Sequence, residues 1–389
     1  MERAGRKAFN LLVFGAIPIA WTAAMFKFDA HLGVLGFDFK GTIWEPGRQI
    51  LAGHSPYPHP VATEMNTGNP SVYPPLALLL TLPISLLPFG LAYALWCVLL
   101  ASATVGTLRL LEVRDWRCYT LALGSCPVVF GLVMGNIVVL LLPLAAVIWR
   151  TRRRTWWCGL ALGLAIAIKL VLWPLLVWLI AARRRGAALV AVGTAAVATL
   201  ATWAAIGFAG VRDYPALLHV NTELYGPHSW SLLAGGIGLG LPQSAASALS
   251  WLLGFGLLLL AAFLTKHARR DQAGFSTAIL ASLVVLPIVW VHSLLILLVP
   301  LALASRSVNR QWYIFGGLWL VAFVPRTFAH VGAPPDGVPL AVWRASQSPA
   351  PTAQIAAFVL MIGLMLLTSR GIGAAVRGLR PFSAKVSYD

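Results

Sequence analysis

The chain has 389 residues, of which 59% are hydrophobic and 11% charged, against roughly 25% charged in an average soluble domain. Its uncharged stretches are long: 42 residues separate Glu223 from Lys266, 34 separate Asp271 from Arg306 and 32 separate Arg117 from Arg150, each beyond the roughly 20 apolar residues that span a bilayer. A soluble protein is excluded, and with it the nucleic-acid partner that a net charge of +17 would otherwise imply.

In chain order, the basic stretch Met1 to Lys7 leads into an apolar run that carries Trp21 and Phe26 near its end and lacks a small-residue cleavage site. It reads as a first transmembrane helix, not a removable signal. Hydropathy then places crossings near 8–27, 89–111, 117–134, 137–150, 155–168, 170–182, 187–207, 244–264, 273–291, 293–305, 311–328 and 353–369. This predicts an all-α polytopic bundle of about 12 transmembrane helices, forming one integral-membrane domain over 1–389. The apolar run Leu76 to Leu87 is the exception, being twelve residues long and punctuated by Pro74, Pro75, Pro83 and Pro88. At ~1.5 Å per residue it is too short to cross, and it is expected to lie along the interface. Cys97, Cys118, Cys126 and Cys158 lie in or beside apolar segments without metal-ligand spacing, so they read as packing residues, and no metal or cofactor is indicated.

Lys and Arg in the short loops decide the parity of the crossings. With both termini cytoplasmic, 22 of the 29 basic residues fall in inner loops, and the outer face keeps Lys27, Lys40, Arg48, Lys169, Arg212, Arg326 and Arg344. Counting Leu76 to Leu87 as a crossing would instead move the Arg-rich loops 150–154, 183–185 and 266–270 outside. The expected protein is therefore a multi-pass plasma-membrane protein with its termini inside and basic anchors against anionic lipid. Carboxylate, amide and imidazole groups collect outside, where two segments are long enough to build a site: 28–88 and 208–243.

In the first of these, Asp38 stands between Phe37 and Phe39 just beyond the first helix. A carboxylate held there suits a general base, or caps the following helix. Residues 43–52 continue with Ile43, Trp44, Gly47, Ile50 and Leu51 on one helical face, and Gly53 to Pro58 read as a turn. Further along, Lys169 interrupts the uncharged run Thr155 to Ala182 between two Arg clusters. Because both clusters belong to one side, the run must go out and return as two helices of about 14 residues, roughly 21 Å each and short of a ~30 Å core. An ionisable residue at that depth is a functional hypothesis by default. Lys169 either lines an outer cavity, where its ammonium would meet a lipid-linked phosphate, or snorkels to the surface. Asn136 and His292 occupy the outer turns of two other hairpins. Each alone reads as a turn residue or a satisfied histidine; together with Lys169, at one depth, they point to a site.

These motifs, in this order, resemble the multispanning GT-C glycosyltransferases of glycosyltransferase family 87. The resemblance runs from Asp38 to about Leu303. It rests on Asp38-Phe39, on Ile50-Leu51-Ala52-Gly53-His54-Ser55-Pro56-Tyr57, on Tyr73-Pro74-Pro75-Leu76, on Gly135-Asn136, on Gly163 to Lys169 and on Trp290-Val291-His292. It implies a GT-C bundle with two juxtamembrane helices in the first outer loop, which fits 43–52 and 76–87. It also implies transfer of a sugar, most simply mannose in an alpha-1,2 linkage, from a polyprenyl-phosphate donor to a lipid-linked glycan acceptor at the outer face, with inversion. On that resemblance Asp38 would be the catalytic base, and Lys169, His292, Asn136 and Arg326 would bind the donor phosphate. Glu223, Tyr225, His219 and Tyr57 would contact sugar or acceptor. The chain departs from the family pattern at Asn136, at Leu170 and at Asn221-Thr222-Glu223.

Two rivals stay open. One is an arabinose donor within the same enzyme class. The other is a lipid flippase or transporter, for which twelve crossings and broken helices are ordinary; against it stand the polar residues gathered at outer hairpin tips and the lack of a pseudo-repeat between the halves.

Overall fold

The computed structural model describes residues 2–31, 33–60, 70–266 and 270–316. Every regular element among them is helical, as lipid demands of a chain that must satisfy its backbone within each segment. Four helices are long and apolar enough to cross a bilayer, Lys7–His31, Phe89–Leu110, Arg185–Ala205 and Gln243–Thr265. A pair, Trp116–Leu123 and Cys126–Met134, is bent by 54° and makes a fifth if it is counted as one span. The bend follows from Gly124 and Ser125 at the junction and from Pro127, which has no N–H to continue the ladder. The protein is thus an all-helical, multi-pass membrane protein.

The other expected crossings take shorter forms. Ile137–Arg150, Thr155–Ile168 and Val291–Ala304 are apolar helices below full length, Leu175–Ala181 has 7 residues and Asp271–Val284 has 14. The twelve-crossing count therefore reduces, among the described residues, to four or five full spans with half-length helices packed between them. The expected crossing 353–369 lies outside the described residues, as does most of 311–328.

Acidic side chains tie one end of the bundle together. Asp271 accepts hydrogen bonds from Arg184 Nη2 at 2.6 Å and Trp178 Nε1 at 2.9 Å, with Arg152 Nε 3.4 Å away. Glu112 pairs with Arg150 and, at 2.7 Å, with Arg306. Asp115 accepts from Arg117 Nη2 at 2.8 Å and from the Val308 N–H at 3.0 Å, and the guanidinium of Arg117 holds its carboxyl below the usual range. These contacts place the loops near 112–117, 150–154, 183–185, 271 and 306–308 side by side. The run between the two Arg clusters therefore leaves one end of the bundle and returns to it. Its first half, Thr155–Ile168, has the expected 14 residues; its return is shorter because the turn consumes Lys169 to Pro174. That first helix packs closely on Arg185–Ala205 through glycines one turn apart: a Cβ on Gly159 would stand 2.6 Å from Val190 Cβ, and one on Gly163 2.5 Å from Thr194 Cβ.

The first loop segment carries both expected helices. Phe37–Phe39, a π-helical stretch Lys40–Trp44 and Glu45–Leu51 run on continuously, and Pro75–Ser85 follows. Ile43 and Gly47 are buried, as the helical face requires, whereas Leu51 at its end is exposed. The second segment is more ordered than its sequence indicated, with helices Tyr214–Tyr225 and Leu232–Gly238. The two segments interlock through the Tyr57 ring, which packs on Trp203 at 5.3 Å and Tyr214 at 5.1 Å.

Candidate active site

Two left-handed glycines bring the site together. Gly36 and Gly135 both have φ of +68°, a conformation that costs other L-residues roughly 1–2 kcal/mol. The Gly36 N–H donates to the Val133 carbonyl at 2.8 Å, joining the start of the Asp38 helix to the end of Cys126–Met134. The helix Phe89–Leu110 braces both from behind. Its Tyr93 hydroxyl donates to the Val133 carbonyl at 2.8 Å, its Trp96 Nε1 donates to the Gly135 carbonyl at 2.8 Å, and Phe39 stacks on Trp96 at 5.5 Å.

Asn136 thereby faces Asp38, and its Nδ2 donates to Asp38 Oδ2 at 2.7 Å. The amide has one orientation, because its Oδ1 accepts the Val138 N–H at 3.0 Å while capping the 3₁₀ turn Ile137–Leu140. Asp38 itself is not a cap: it lies in the first turn of its helix, whose N-cap is Gly36. Its side chain is 15% exposed, so the carboxylate is held yet reachable.

His292 Nε2 lies 3.9 Å from Asp38 Oδ2, and its buried ring runs parallel to Phe130 at 6.4 Å. The second loop segment props up this turn, since the Trp230 N–H donates to the Val289 carbonyl at 2.6 Å and Tyr225 meets Trp290 edge-on. Lys169 ends the helix Thr155–Ile168 in extended backbone. Its Nζ stands over the Tyr73 ring at 4.9 Å and within electrostatic reach of Asp38.

Tyr73 is the member of this cluster that the sequence reading left out. It is 4% exposed, and its hydroxyl is faced by the side chains of Thr42 and Asn136 and by the Asp38 carboxylate. Burial and the Asp38 charge push its phenol well above the ordinary range, so it stays neutral. The signal available in the sequence was Tyr73-Pro74-Pro75, an aromatic ring fixed immediately ahead of a proline-started helix.

The structure thus assembles Asp38, Asn136, His292 and Lys169 and distributes the other expected residues. His219 Nε2 and Glu223 Oε1 pair at 3.2 Å on an exposed helix face. Tyr225 is buried against Trp290. Tyr57 is buried, with its hydroxyl donating to the Tyr73 carbonyl at 2.8 Å, and supports the cluster from behind. Arg326 lies outside the described residues. Among the described residues, no group of three or more His, Cys, Asp and Glu side chains could hold a metal ion. The chemistry present is a carboxylate oriented by an amide, beside an imidazole, an ammonium and a neutral phenol.

Comparison with known proteins bears on that arrangement. A polyprenol-phosphate-mannose-dependent alpha-(1-2)-phosphatidylinositol pentamannoside mannosyltransferase of Mycolicibacterium smegmatis is 28% identical over 300 residues, covering 68% of this chain and 71% of its own. Its namesake from Mycobacterium tuberculosis is 27% identical over 385 residues, covering 85% and 83%. A phosphatidylinositol mannoside mannosyltransferase of Mycolicibacterium smegmatis, also polyprenol-phosphate-mannose-dependent, is 27% identical over 367 residues, covering 82% and 81%. No solved structure matches the chain. The family model for glycosyltransferase family 87 matches residues 72–293, more than half of the chain and a stretch that contains Tyr73, Asn136, Lys169 and His292. The chain belongs to glycosyltransferase family 87.

Proposed function

We propose that the protein transfers a mannosyl residue from a polyprenyl-phosphate donor to a hydroxyl of a phosphatidylinositol-mannoside-type glycolipid at the outer face of the membrane, inverting the anomeric carbon. The observation that carries this reading is the Asp38 carboxylate, fixed by Asn136 at 2.7 Å and flanked by His292 and Lys169. The relatives named for that donor and acceptor class support the choice of sugar and lipid. Single displacement needs a base on one side of the anomeric carbon and positive charge on the other. The acceptor hydroxyl oxygen forms the new bond to that carbon while the bond to the phosphate oxygen breaks. The hydroxyl proton passes to Asp38, and the electron pair leaves with the polyprenyl phosphate. Lys169 and His292 counter the charge of the departing phosphate, and Arg326 is assigned to the same task. Asn136 keeps one N–H on Asp38 and so orients the base.

The lipid tail explains the depth of the site. A donor anchored in the bilayer presents its phosphate near the interface, and Lys169 sits at the tip of a half-length hairpin rather than at the end of a full span. The whole chain, 1–389, serves as one membrane domain, with both termini cytoplasmic and the segments 28–88 and 208–243 outside. Glu223 and His219, on an exposed helix face of the second of these segments, are assigned to the acceptor, and Tyr225, buried against Trp290, to supporting the His292 turn. The test is direct: purified protein is given polyprenyl-phosphate mannose or polyprenyl-phosphate arabinose with phosphatidylinositol-mannoside acceptors. Mannosylated product from the first donor alone is expected; arabinosylated product, or none from either, would overturn the reading.

A further inference from the structure

Tyr73 stands between the two groups that the proposed mechanism uses for opposite purposes, the carboxylate that takes a proton and the ammonium that meets phosphate. Its backbone is held firmly. The Tyr73 carbonyl accepts the Tyr57 hydroxyl at 2.8 Å, and the Val72 carbonyl before it accepts the Tyr214 hydroxyl at 2.9 Å. Ser71 Oγ donates to the Thr42 carbonyl at 3.1 Å, and Thr42 Oγ1 donates to the Asp38 carbonyl at 2.6 Å. This chain of bonds ties the segment to the helix that bears Asp38. Pro74 follows at φ −56° as the N-cap of Pro75–Ser85, which removes most of the remaining freedom. One face of the ring carries the Lys169 Nζ at 4.9 Å, inside the ~6 Å of a cation–π contact, and the hydroxyl meets the side chains of Thr42 and Asn136, the latter being the amide that donates to Asp38 Oδ2 at 2.7 Å.

Resting on the function proposed above, we infer that Tyr73 is a positioning residue with two separable actions: its hydroxyl steadies the Asn136 amide that orients the Asp38 carboxylate as a base, and its ring face holds the Lys169 ammonium where the donor phosphate arrives. A neutral phenol suits both actions. It does not compete with Asp38 for the acceptor proton. A phenylalanine would serve only the second, and an aliphatic residue neither.

The two actions separate by substitution at one position without a change of shape. Tyr73→Phe keeps the ring and loses the hydroxyl. Its donor KM should stay within about twofold of wild type while kcat falls about fivefold or more. The acidic limb of kcat/KM against pH should move to higher pH, because the Asn136 amide that donates to the charged carboxylate loses its support. Tyr73→trifluorophenylalanine, introduced by codon suppression, also withdraws electron density from the ring face. Relative to Tyr73→Phe it should raise donor KM about threefold or more and leave the limb in place. A purely structural tyrosine would lower Tm in both variants without moving the limb or parting KM from kcat. Asp38→Asn and Lys169→Met run alongside. If Asp38→Asn is dead while Tyr73→Phe keeps the wild-type limb, or if the fluorinated ring leaves donor KM unchanged, the inference about Tyr73 fails and the assignment of Asp38 stands. If Asp38→Asn turns over normally, the base assignment fails and takes the role of Tyr73 with it.

Discussion

Replacing Gly135 by alanine tests whether the Asn136 turn sets the geometry of Asp38. Two costs act at that position. The first is backbone strain, since φ is +68° and an alanine there loses roughly 1–2 kcal/mol. The second is a collision: the new Cβ would stand 2.6 Å from Phe39 Cβ, where ordinary contact begins at 3.4 Å. The turn and the Asp38 helix must then separate by about 0.8 Å, the difference between those two distances. Phe39 cannot retreat, being stacked on Trp96 at 5.5 Å. A hydrogen bond of 2.7 Å between Asn136 and Asp38 does not survive such a shift, and a ~1 Å misplacement at a reacting centre costs roughly 10²-fold in rate. Turnover of Gly135→Ala is therefore expected to fall roughly 30- to 100-fold, with the protein still folded, read as transfer of radiolabelled sugar from the donor. Gly240→Ala is the control. Its φ is +89° and nothing lies within 4 Å of the added carbon, so it shares the strain without the collision and should lower Tm while leaving turnover near wild type. Turnover of Gly135→Ala within about threefold of the control would refute the reasoning, because strain alone would then account for both.

Asp38→Asn keeps the shape and removes the base, so turnover should drop roughly 10²- to 10⁴-fold with donor binding retained; near-normal transfer would take Asp38 out of the mechanism. Lys169→Met should raise donor KM and lower kcat together, since the ammonium meets phosphate in ground and transition states alike, and a variant unchanged in both would mark Lys169 as a snorkelling lysine. Asp271→Asn strands Arg184 and Arg152, both partly exposed, and should cost about 2 kcal/mol of stability, visible as a lower Tm with kcat/KM little changed; an equal loss in activity would mean that the clamp reaches the site. Cysteines at His54 and Gly90, both exposed, in a background lacking the native four, should each react with an impermeant thiol reagent from outside, whereas labelling of position 90 only from inside would make Pro75–Ser85 a crossing.

The sequence disclosed the site wherever a polar group interrupted an apolar run. Lys169 and Asn136 stood out because lipid tolerates few such groups, and parity arithmetic then placed their turns together with Asp38 and His292. The structure brings all four into one cluster. Tyr73 entered only through the Tyr73-Pro74-Pro75-Leu76 motif and was given no place in the site, because nothing local says that its ring lies against a lysine almost a hundred residues on. Tyr57 looked accessible for a related reason: its hydroxyl is spent on a backbone carbonyl, a partner that no side-chain pattern reveals. The clamp around Asp271 was half visible. Counting bases for sidedness found the arginines but assigned no task to Asp271, which holds two of them at once. Hydropathy also averaged over Gly124 and Ser125, so one crossing was read where the chain bends by 54°. The helix Tyr214–Tyr225 gathers Tyr214, Leu217, Val220 and Leu224 on one face, but what that face packs on comes from distant segments, as in the bond from the Tyr214 hydroxyl to the Val72 carbonyl at 2.9 Å.

The hydrogen bond between Asp38 and Asn136 joins positions 98 apart in sequence, and His292 lies much farther on. At roughly 5–20 residues per second of synthesis, Asp38 leaves the ribosome some tens of seconds before its imidazole neighbour exists. The helix Phe89–Leu110 is made early and already offers Tyr93 and Trp96 as a template on which Cys126–Met134 and the Asn136 turn can dock. The carboxylate and its amide thus meet first, and the imidazole arrives last, on a turn that docks against the Trp230 already made. A chain released before residue 292 therefore inserts into the membrane with its carboxylate and amide in place but no histidine beside them. Incomplete translation products should occupy membrane without consuming donor lipid.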